Sequence, residues 1–309
     1  MARESRKGTR SGVELYNQVS QPTNIILSII MIVLALICIL PTFLALGVSL
    51  SSEASLVEHG YQFIPTEPST LAYEIIFSSN SQIMQALLVS VVVTVAGTIL
   101  GVFLCSTYGF VLTNKRYRLR GLMTVFIVIP MLFSGGLIPS YIINTELLGL
   151  RDSIWALILP LAVSSFNIII MRTYFTGQIS TAILESAEID GASQLRTYTH
   201  IVIPLAKPVL ATIAIFLAFG YWNDWQMARL YIRSADLKPL QAVLMEIQGN
   251  IEFLQSDAAQ TIGPTFQIDI PSDPIRMALV MVIVVPIALV YPFFQKYFVS
   301  GLTIGAVKG

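Results

Sequence analysis

Charge is what this chain has least of. Only 12% of its 309 residues are Asp, Glu, Lys or Arg, where a soluble domain carries about 25%. The 18 cations and 18 anions cancel, so no global field favours nucleic acid or another charged partner. Histidine is nearly absent: His59 and His200 fall in segments that the topology below assigns to opposite aqueous compartments, so they form no paired metal site. Cysteine is equally scarce. Cys38 and Cys105 both sit inside apolar runs and read as small buried hydrophobes rather than a disulfide or a metal site.

Chemical motifs are missing too. No GxxxxGK[ST] phosphate loop occurs, so the chain has no such means of binding or hydrolysing ATP. There is no HExxH and no nucleophile elbow, so no catalytic residue and no metal ligand is nominated. The apolar runs hold few ionisable groups, which removes the intramembrane carboxylate relay expected of a proton- or sodium-driven carrier.

What remains is oil. Hydrophobic residues make up 55% of the chain, and the mean hydropathy is +0.74. A bilayer-spanning helix needs roughly 20 mainly apolar residues. Six stretches qualify: Asn24 to Leu50, Gln82 to Leu112, Gly121 to Ile143, Ser153 to Phe175, Leu205 to Met227 and Ile275 to Ser300. The run after the basic segment MARESRKGTRSG is too long for a signal peptide and reads as a retained first span. Pro41, Pro130, Pro139, Pro160, Pro286 and Pro292 lie inside the spans, so bent helices are expected.

Loop charge orients the spans. Arg3, Arg6, Lys7 and Arg10 precede span one, and Lys115, Arg116, Arg118 and Arg120 join spans two and three. Arg172, Arg196 and Lys207 lie between spans four and five, while the loop 51–81 has four Glu and no Lys or Arg. The positive-inside rule then gives six transmembrane helices with both termini in the cytoplasm, an all-α membrane protein. The resulting layout is a cytoplasmic tail over 1–23, a first helix and outer loop over 24–81, a transmembrane domain over 82–300 and a cytoplasmic tail over 301–309. An outer loop over 228–274 contains LKPLQAVLMEIQGN, a helix expected to start after Pro239 and stop near Gly249. It is either a surface loop on the headgroups or a docking surface for an external partner.

Three short segments stand out. FSGGLIPSY places Gly135 and Gly136 deep in span three; broken backbone there must be buried in protein or line water. It reads equally as a pathway element or as close helix packing. Near the outer end of span five, Tyr221, Trp222, Asn223, Asp224 and Trp225 combine flat apolar faces with short polar tips. Such a set suits a neutral polyol, and it also suits the aromatic belt of a membrane interface.

The third is LESAEIDGASQLRTYTHIVIP, a polar island at the cytoplasmic face within the loop 180–204. Glu185 and Glu188 are three apart on one helical face, and Gly191 supplies the φ > 0 of a reversal. Ser193 is placed to cap a second helix over Gln194 to His200, and Pro204 marks re-entry to the membrane. A helix–turn–helix knob results, shaped for a groove on a cytoplasmic partner.

Glu185-Ser186-Ala187, three residues, Gly191, nine residues and Ile201-Val202-Ile203-Pro204 resemble the EAA loop of permease subunits in bacterial ATP-binding-cassette importers. The usual pattern is Glu-Ala-Ala, three residues, Gly, nine residues, Ile-x-Leu-Pro; Ser186 and Ile203 depart from it mildly. IDGAS, IPLAKPVLAT, FSGGLIPSY, FNIIIMRTYF, YWNDW and the terminal GLTIGAVKG resemble the complex-sugar branch, related to maltose and lipoprotein-linked oligosaccharide systems.

The resemblance implies a type I importer permease fold with a cytoplasmic EAA coupling helix. Its partners would be a second homologous permease, a cytoplasmic ATPase dimer that holds the ATP and magnesium, and an extracytoplasmic solute-binding protein; the cargo would be carbohydrate. Glu185, Ala187, Glu188, Asp190, Gly191 and Pro204 become coupling residues: Glu185 a charged contact, Ala187 a close approach, Gly191 the bend. The tail Gly305, Ala306, Val307, Lys308 and Gly309 becomes an ATPase contact, the loop 228–274 a binding-protein contact, and YWNDW a pathway lining. The bacterial cytoplasmic membrane is the implied location. A permease of the same kind for a non-sugar solute, and an ATP-independent carrier, are the competing readings.

Overall fold

A computed structural model describes residues 20–78, 82–114, 116–255 and 272–304. Among them the chain is helical, with no strand beyond one isolated bridge from Ser51 to Pro68. Three helices are long and apolar enough to cross a membrane unbroken: α1 Gln21–Ser49, α4 Gln82–Thr113 and the 273–292 part of α14 Asp273–Ile304. Two bent helix pairs are long and apolar enough only when each pair is taken together. α7 Ile154–Ala162 and α8 Ser165–Gln178 meet at 45°, and α10 Gln194–Leu205 and α11 Lys207–Trp222 meet at 82°.

The expected third span is the one most changed. α5 Arg120–Leu132 stops short, residues 133–136 leave the helix, and α6 Leu137–Ile142 resumes and passes into a π-turn at Ile143–Leu147. α5 closes at Phe133 in extended backbone, Gly136 takes φ +84 as the residue before α6, and Gly135 has no neighbour that a side chain would meet. Proline alone does not break these helices. Pro41 and Pro286 sit within continuous ones, whereas the break after Pro160 falls at Val163–Ser164, where Ser164 Oγ caps the next helix by accepting from the Asn167 amide at 3.5 Å.

α4 is the centre of the packing. Val93, Gly97, Gly101, Cys105 and Gly109 recur every four residues and all are buried, forming one small-residue stripe. A Cβ on Gly97 would lie 2.4 Å from the Tyr221 ring, and one on Gly101 would lie 2.8 Å from Leu217 and 2.9 Å from the Ala162 carbonyl. Small residues bring helix axes together in lipid, where close van der Waals contact rather than water exclusion drives association. Cys105, buried and free, donates to the Ala162 carbonyl at 3.7 Å, at the point where α7 ends. Its role is therefore structural, as expected; Cys38 is free and exposed on α1.

α1 packs mainly on α14, and its outward residues, such as Met31 and Leu36, are more than half exposed, as lipid-facing residues are. Beyond it, α2 Glu53–His59 and α3 Leu71–Phe77 form a cap, held by Ser49 Oγ to Tyr73 OH at 2.8 Å and by Tyr61 OH donating to Asp273 at 2.6 Å. α12 Gln226–Tyr231 and α13 Leu240–Gln255 complete that side. α13 begins directly after Pro239 as expected but runs past Gly249 for another turn and a half, because Gly249 sits in open space and imposes no turn.

Gly97→Val should destabilise the purified protein by about 1–3 kcal/mol through overpacking, read as a lowered unfolding midpoint in detergent. Gly249→Ala, in an open helical position, should leave the midpoint unchanged or raise it.

Candidate functional site

The polar island folds as a hairpin of two helices. α9 Thr181–Ile189 ends in a Schellman turn: the Gly191 amide donates to the Glu188 carbonyl at 3.1 Å and the Ala192 amide to the Ala187 carbonyl at 2.9 Å. Gly191 takes φ +74, the left-handed conformation that this turn demands. Ser193 Oγ accepts from the Arg196 amide at 3.3 Å and caps α10. α10 then widens into a π-turn at Tyr198–Val202 and meets α11 at the buried Ala206.

The hairpin sorts the expected coupling residues into two groups. Glu185, Asp190 and Gly191 are exposed on its surface, and the Glu185 carboxylate has no ionic partner among the described residues. Ala187 turns inward, and Glu188 stays at the surface but is paired. Ala187 is only 6% exposed, so its small size serves the hairpin's own turn rather than the close approach of a partner. Glu188 forms an ion pair with Arg116, from the loop after α4. Pro204 is exposed one turn before α11, but the 82° elbow falls at Ala206.

Sequence reasoning missed the apolar part of the hairpin. Ile189 is 86% exposed and Leu195 71% exposed, at the tip of a water-facing element. Burying a side chain of this size is worth roughly 1.5–3 kcal/mol, so two such residues on one hairpin mark a surface suited to being covered. The signal was present as aliphatics inside an otherwise polar island. A cleft of about 300 Å³ separates the hairpin from the end of α4, lined by Phe110, Asn114, Arg116, Leu184, Glu185 and Gln194.

At the other side of the molecule the aromatic pentad divides likewise. Tyr221 is 3% exposed and its hydroxyl donates to the Ile158 carbonyl at 2.7 Å, so it is a core residue, not a lining one. Trp222 Nε1 donates to the Ile283 carbonyl at 3.1 Å, in the turn before Pro286, and joins α11 to α14. Asp224 Oδ1 accepts from the amides of Gln226 and Met227, both at 3.1 Å, and starts α12. Asn223 is the exposed member, its Nδ2 donating to the Phe219 carbonyl at 3.0 Å, and Trp225 is half-buried. Trp225 lines a cleft of about 400 Å³ between α12 and α13 with Arg229, Lys238, Glu246 and Asn250, and the Arg229 guanidinium lies 6.0 Å from its ring centre.

Gly135 and Gly136 lie within a continuous exposed stretch from Leu132 to Ser140. The tail Gly305 to Gly309 falls outside the described residues. Among the described residues no cluster of His, Cys, Asp or Glu could hold a metal.

Asp152 organises the outer turns. It has φ +53, an uncommon conformation that Asp tolerates better than most residues. Its carboxylate accepts from the amides of Arg233 and Ser234 at 2.9 Å each and from Ser234 Oγ at 2.5 Å. The Ser234 hydroxyl, then the two amides, hold the Asp152 carboxyl below its ordinary value of 3.8. A depressed value means the anchor is fully present above the ordinary carboxylate range and is lost as pH falls through the lowered value. Protection of the Arg233 and Ser234 amides, measured against the intrinsic exchange rate at each pH, should therefore be retained from pH 7 to 5 and lost only below 3.8. In Asp152→Ala both amides should be unprotected throughout.

The sequence matches the family described as the binding-protein-dependent transport system inner membrane component over residues 97–304. It is 39% identical over 279 residues to the polygalacturonan/rhamnogalacturonan transport system permease protein YtcP of Bacillus subtilis, covering 90% of this chain and 96% of that one. It is 38% identical over 274 residues to protein LplC of the same organism, covering 88% and 90%. The fold is similar, with a TM-score of 0.78 and 28% identity, to a chain of a bacterial ABC transporter involved in the import of the acidic polysaccharide alginate, covering 91% of this chain and 99% of that one. The chain belongs to the binding-protein-dependent transport system inner membrane components.

Proposed function

We propose that this family member is the permease subunit of an ATP-binding-cassette importer that carries a sugar or oligosaccharide across the bacterial cytoplasmic membrane. ATP is hydrolysed on separate ATPase subunits, and the chain itself is not an enzyme. The observation that carries the reading is the α9–α10 hairpin. A Schellman turn and a serine cap hold it in one shape, while Glu185, Ile189 and Leu195 stay open to solvent at its tip. A charged group beside two bare aliphatics fits a groove on a soluble partner, and an ATP-independent carrier gives that surface nothing to do.

The carbohydrate class is supported by the relatives' names: a polygalacturonan/rhamnogalacturonan permease and an arabinooligosaccharide permease, besides the alginate importer. In this reading the chain crosses six times with both ends in the cytoplasm, over the domain limits 1–23, 24–81, 82–300 and 301–309. It pairs with a second permease, a cytoplasmic ATPase dimer and an extracytoplasmic solute-binding protein, the last received by the loop 228–274. The tail Gly305 to Gly309 adds an ATPase contact. Irregular backbone at Gly135 and Gly136 lies exposed on the single chain. The Gly136 amide donates to Ser134 Oγ at 3.2 Å and its carbonyl accepts from Ser140 Oγ at 2.8 Å, and at membrane depth such backbone is tolerated only where it is buried in protein or lines water. That face therefore meets the partner permease or an aqueous path, and Asn223 and Trp225 line the outer part of the path.

The hairpin works as a lever. ATP binding closes the ATPase dimer, and whatever grips the hairpin biases the spans between inward- and outward-facing states; only this difference in ATPase affinity for the two states can drive the switch.

Ile189→Asp, Glu185→Lys and Gly191→Pro, assembled with partner permease, ATPase and binding protein in proteoliposomes, should each lower sugar uptake about tenfold or more, the equivalent of 1.4 kcal/mol of coupling. Membrane insertion should be retained. Wild-type uptake by all three would remove the coupling role. Asn223→Ala and Trp225→Ala should lower uptake with assembly intact, and unchanged uptake would return them to an interface belt.

A further inference from the structure

α4 differs from the other apolar stretches in one respect: it contains no proline, while every other one does. Its 32 residues run without a break, so it spans about 48 Å at 1.5 Å per residue. Each end is fastened by buried polar contacts to a different functional surface. Near the outer end, Ser90 Oγ accepts from the Leu240 amide at 2.8 Å, and Gln85 Nε2 donates to the Asp236 carbonyl at 3.2 Å. Ser90 and Leu240 are 3% and 1% exposed, so the first amide of α13 is satisfied by α4 alone and water does not compete.

Near the inner end, the Tyr198 hydroxyl lies 2.7 Å from Ser106 Oγ and 3.3 Å from Thr107 Oγ1, with its ring 5.2 Å from that of Phe110. Tyr198 opens the π-turn of α10. Wide turns of this kind recur at functional positions in helices. The Arg116–Glu188 ion pair adds a second tie from the loop after α4 to α9. By contrast, the covalent route from the hairpin into α11 passes through the 82° elbow at Ala206.

We infer that α4 is a rigid strut joining the cytoplasmic hairpin to the outer helix α13, with Tyr198 and Ser90 as the positioning residues at its two ends. The inference rests on the reading of the hairpin as the ATPase contact and the 228–274 loop as the binding-protein contact. It adds the route between them. A shift of α13 under a docked binding protein moves α4 along its axis, and Tyr198 transfers that movement to the hairpin. Linkage makes the effect reciprocal: closure of the ATPases alters binding-protein affinity by the same factor. The glycine stripe seats Tyr221, Leu217 and Met171 against α4, so these neighbours move with the strut.

The test uses the whole complex in nanodiscs, with ATPase rate measured with and without sugar-loaded binding protein. Tyr198→Phe keeps the ring and loses the hydroxyl; Ser90→Ala loses the acceptor for Leu240. Each should retain assembly and basal ATPase rate while stimulation by the binding protein falls about fivefold or more. Ser90→Thr, which keeps a hydroxyl, should restore stimulation. The double variant should be no worse than the worse single one, since both cut one strut. Normal stimulation in both single variants, or losses that multiply in the double variant, would overturn the strut. If Ser90→Ala does not assemble, Gln85→Ala and Tyr198→Phe decide the question by the same readout. Ile189→Asp separates the two levels. If it is defective while Tyr198→Phe and Ser90→Ala are normal, the strut alone fails; if it transports normally, the hairpin reading fails.

Discussion

The Tyr221 ring seated on Gly97 of α4 is the contact on which the rest of the molecule depends. A side chain at Gly97 would stand 2.4 Å from that ring, so α11 lies as close to α4 as two helices can. This proximity lets the Tyr221 hydroxyl reach past α4 to the Ile158 carbonyl, which fixes α7 as well. One turn along α4, Gly101 receives Leu217 and the end of α7, and Cys105 reaches the Ala162 carbonyl. The stripe thus carries both halves of a bent crossing and satisfies the carbonyl that the bend leaves open. In a bilayer that satisfaction is compulsory, since no water is there to supply it.

From that centre the two working faces follow. The α9–α10 hairpin is attached to α4 and the loop after it through Tyr198 and Arg116, and its tip is left bare. At the other end α13 is attached through Ser90 and the turn before it through Gln85, with Asp152 holding that turn where it leaves α12. Rigid contacts lie along α4, and open surface lies beyond its ends. This is the distribution expected of a transmitter, which must deform at its contacts with partners and not between them.

Much of this was legible in the sequence. Apolar length marked the membrane stretches, and the polar island gave the start of both hairpin helices and the turn between them, though the second helix runs to Leu205 rather than His200. Gly191 and Ser193 took the roles their chemistry allows, a left-handed turn and a cap. What was not legible were the side-chain directions. Glu188 and Glu185 sit three apart on one helix and look equivalent, yet Arg116 arrives from another loop and claims only the first. Ala187 looked like a seat for a partner and is instead filled by its own hairpin. The YWNDW pentad looked like a single sugar-facing set. Its members split because α11 ends at Trp222: the last helical turn points Tyr221 and Trp222 at other helices, while Asn223, Asp224 and Trp225 follow in the turn before α12, where only Asn223 is exposed. The period-four glycine stripe of α4 was available to sequence reading and was overlooked among stronger apolar signals.

By itself the sequence determined the solvent and the turns: apolar runs long enough for a bilayer, a polar island that must remain in water, and glycines and serines whose backbone and capping preferences are local. These are properties of a residue and its near neighbours. The tertiary structure alone decided which carboxylate stays free, which aromatic rings are buried, and which helix links the two faces. Those outcomes depend on side chains that arrive from distant parts of the chain, such as Arg116 on Glu188, Ser90 under Leu240 and Tyr221 against Gly97. No local preference encodes such meetings, because they exist only once the helices have packed.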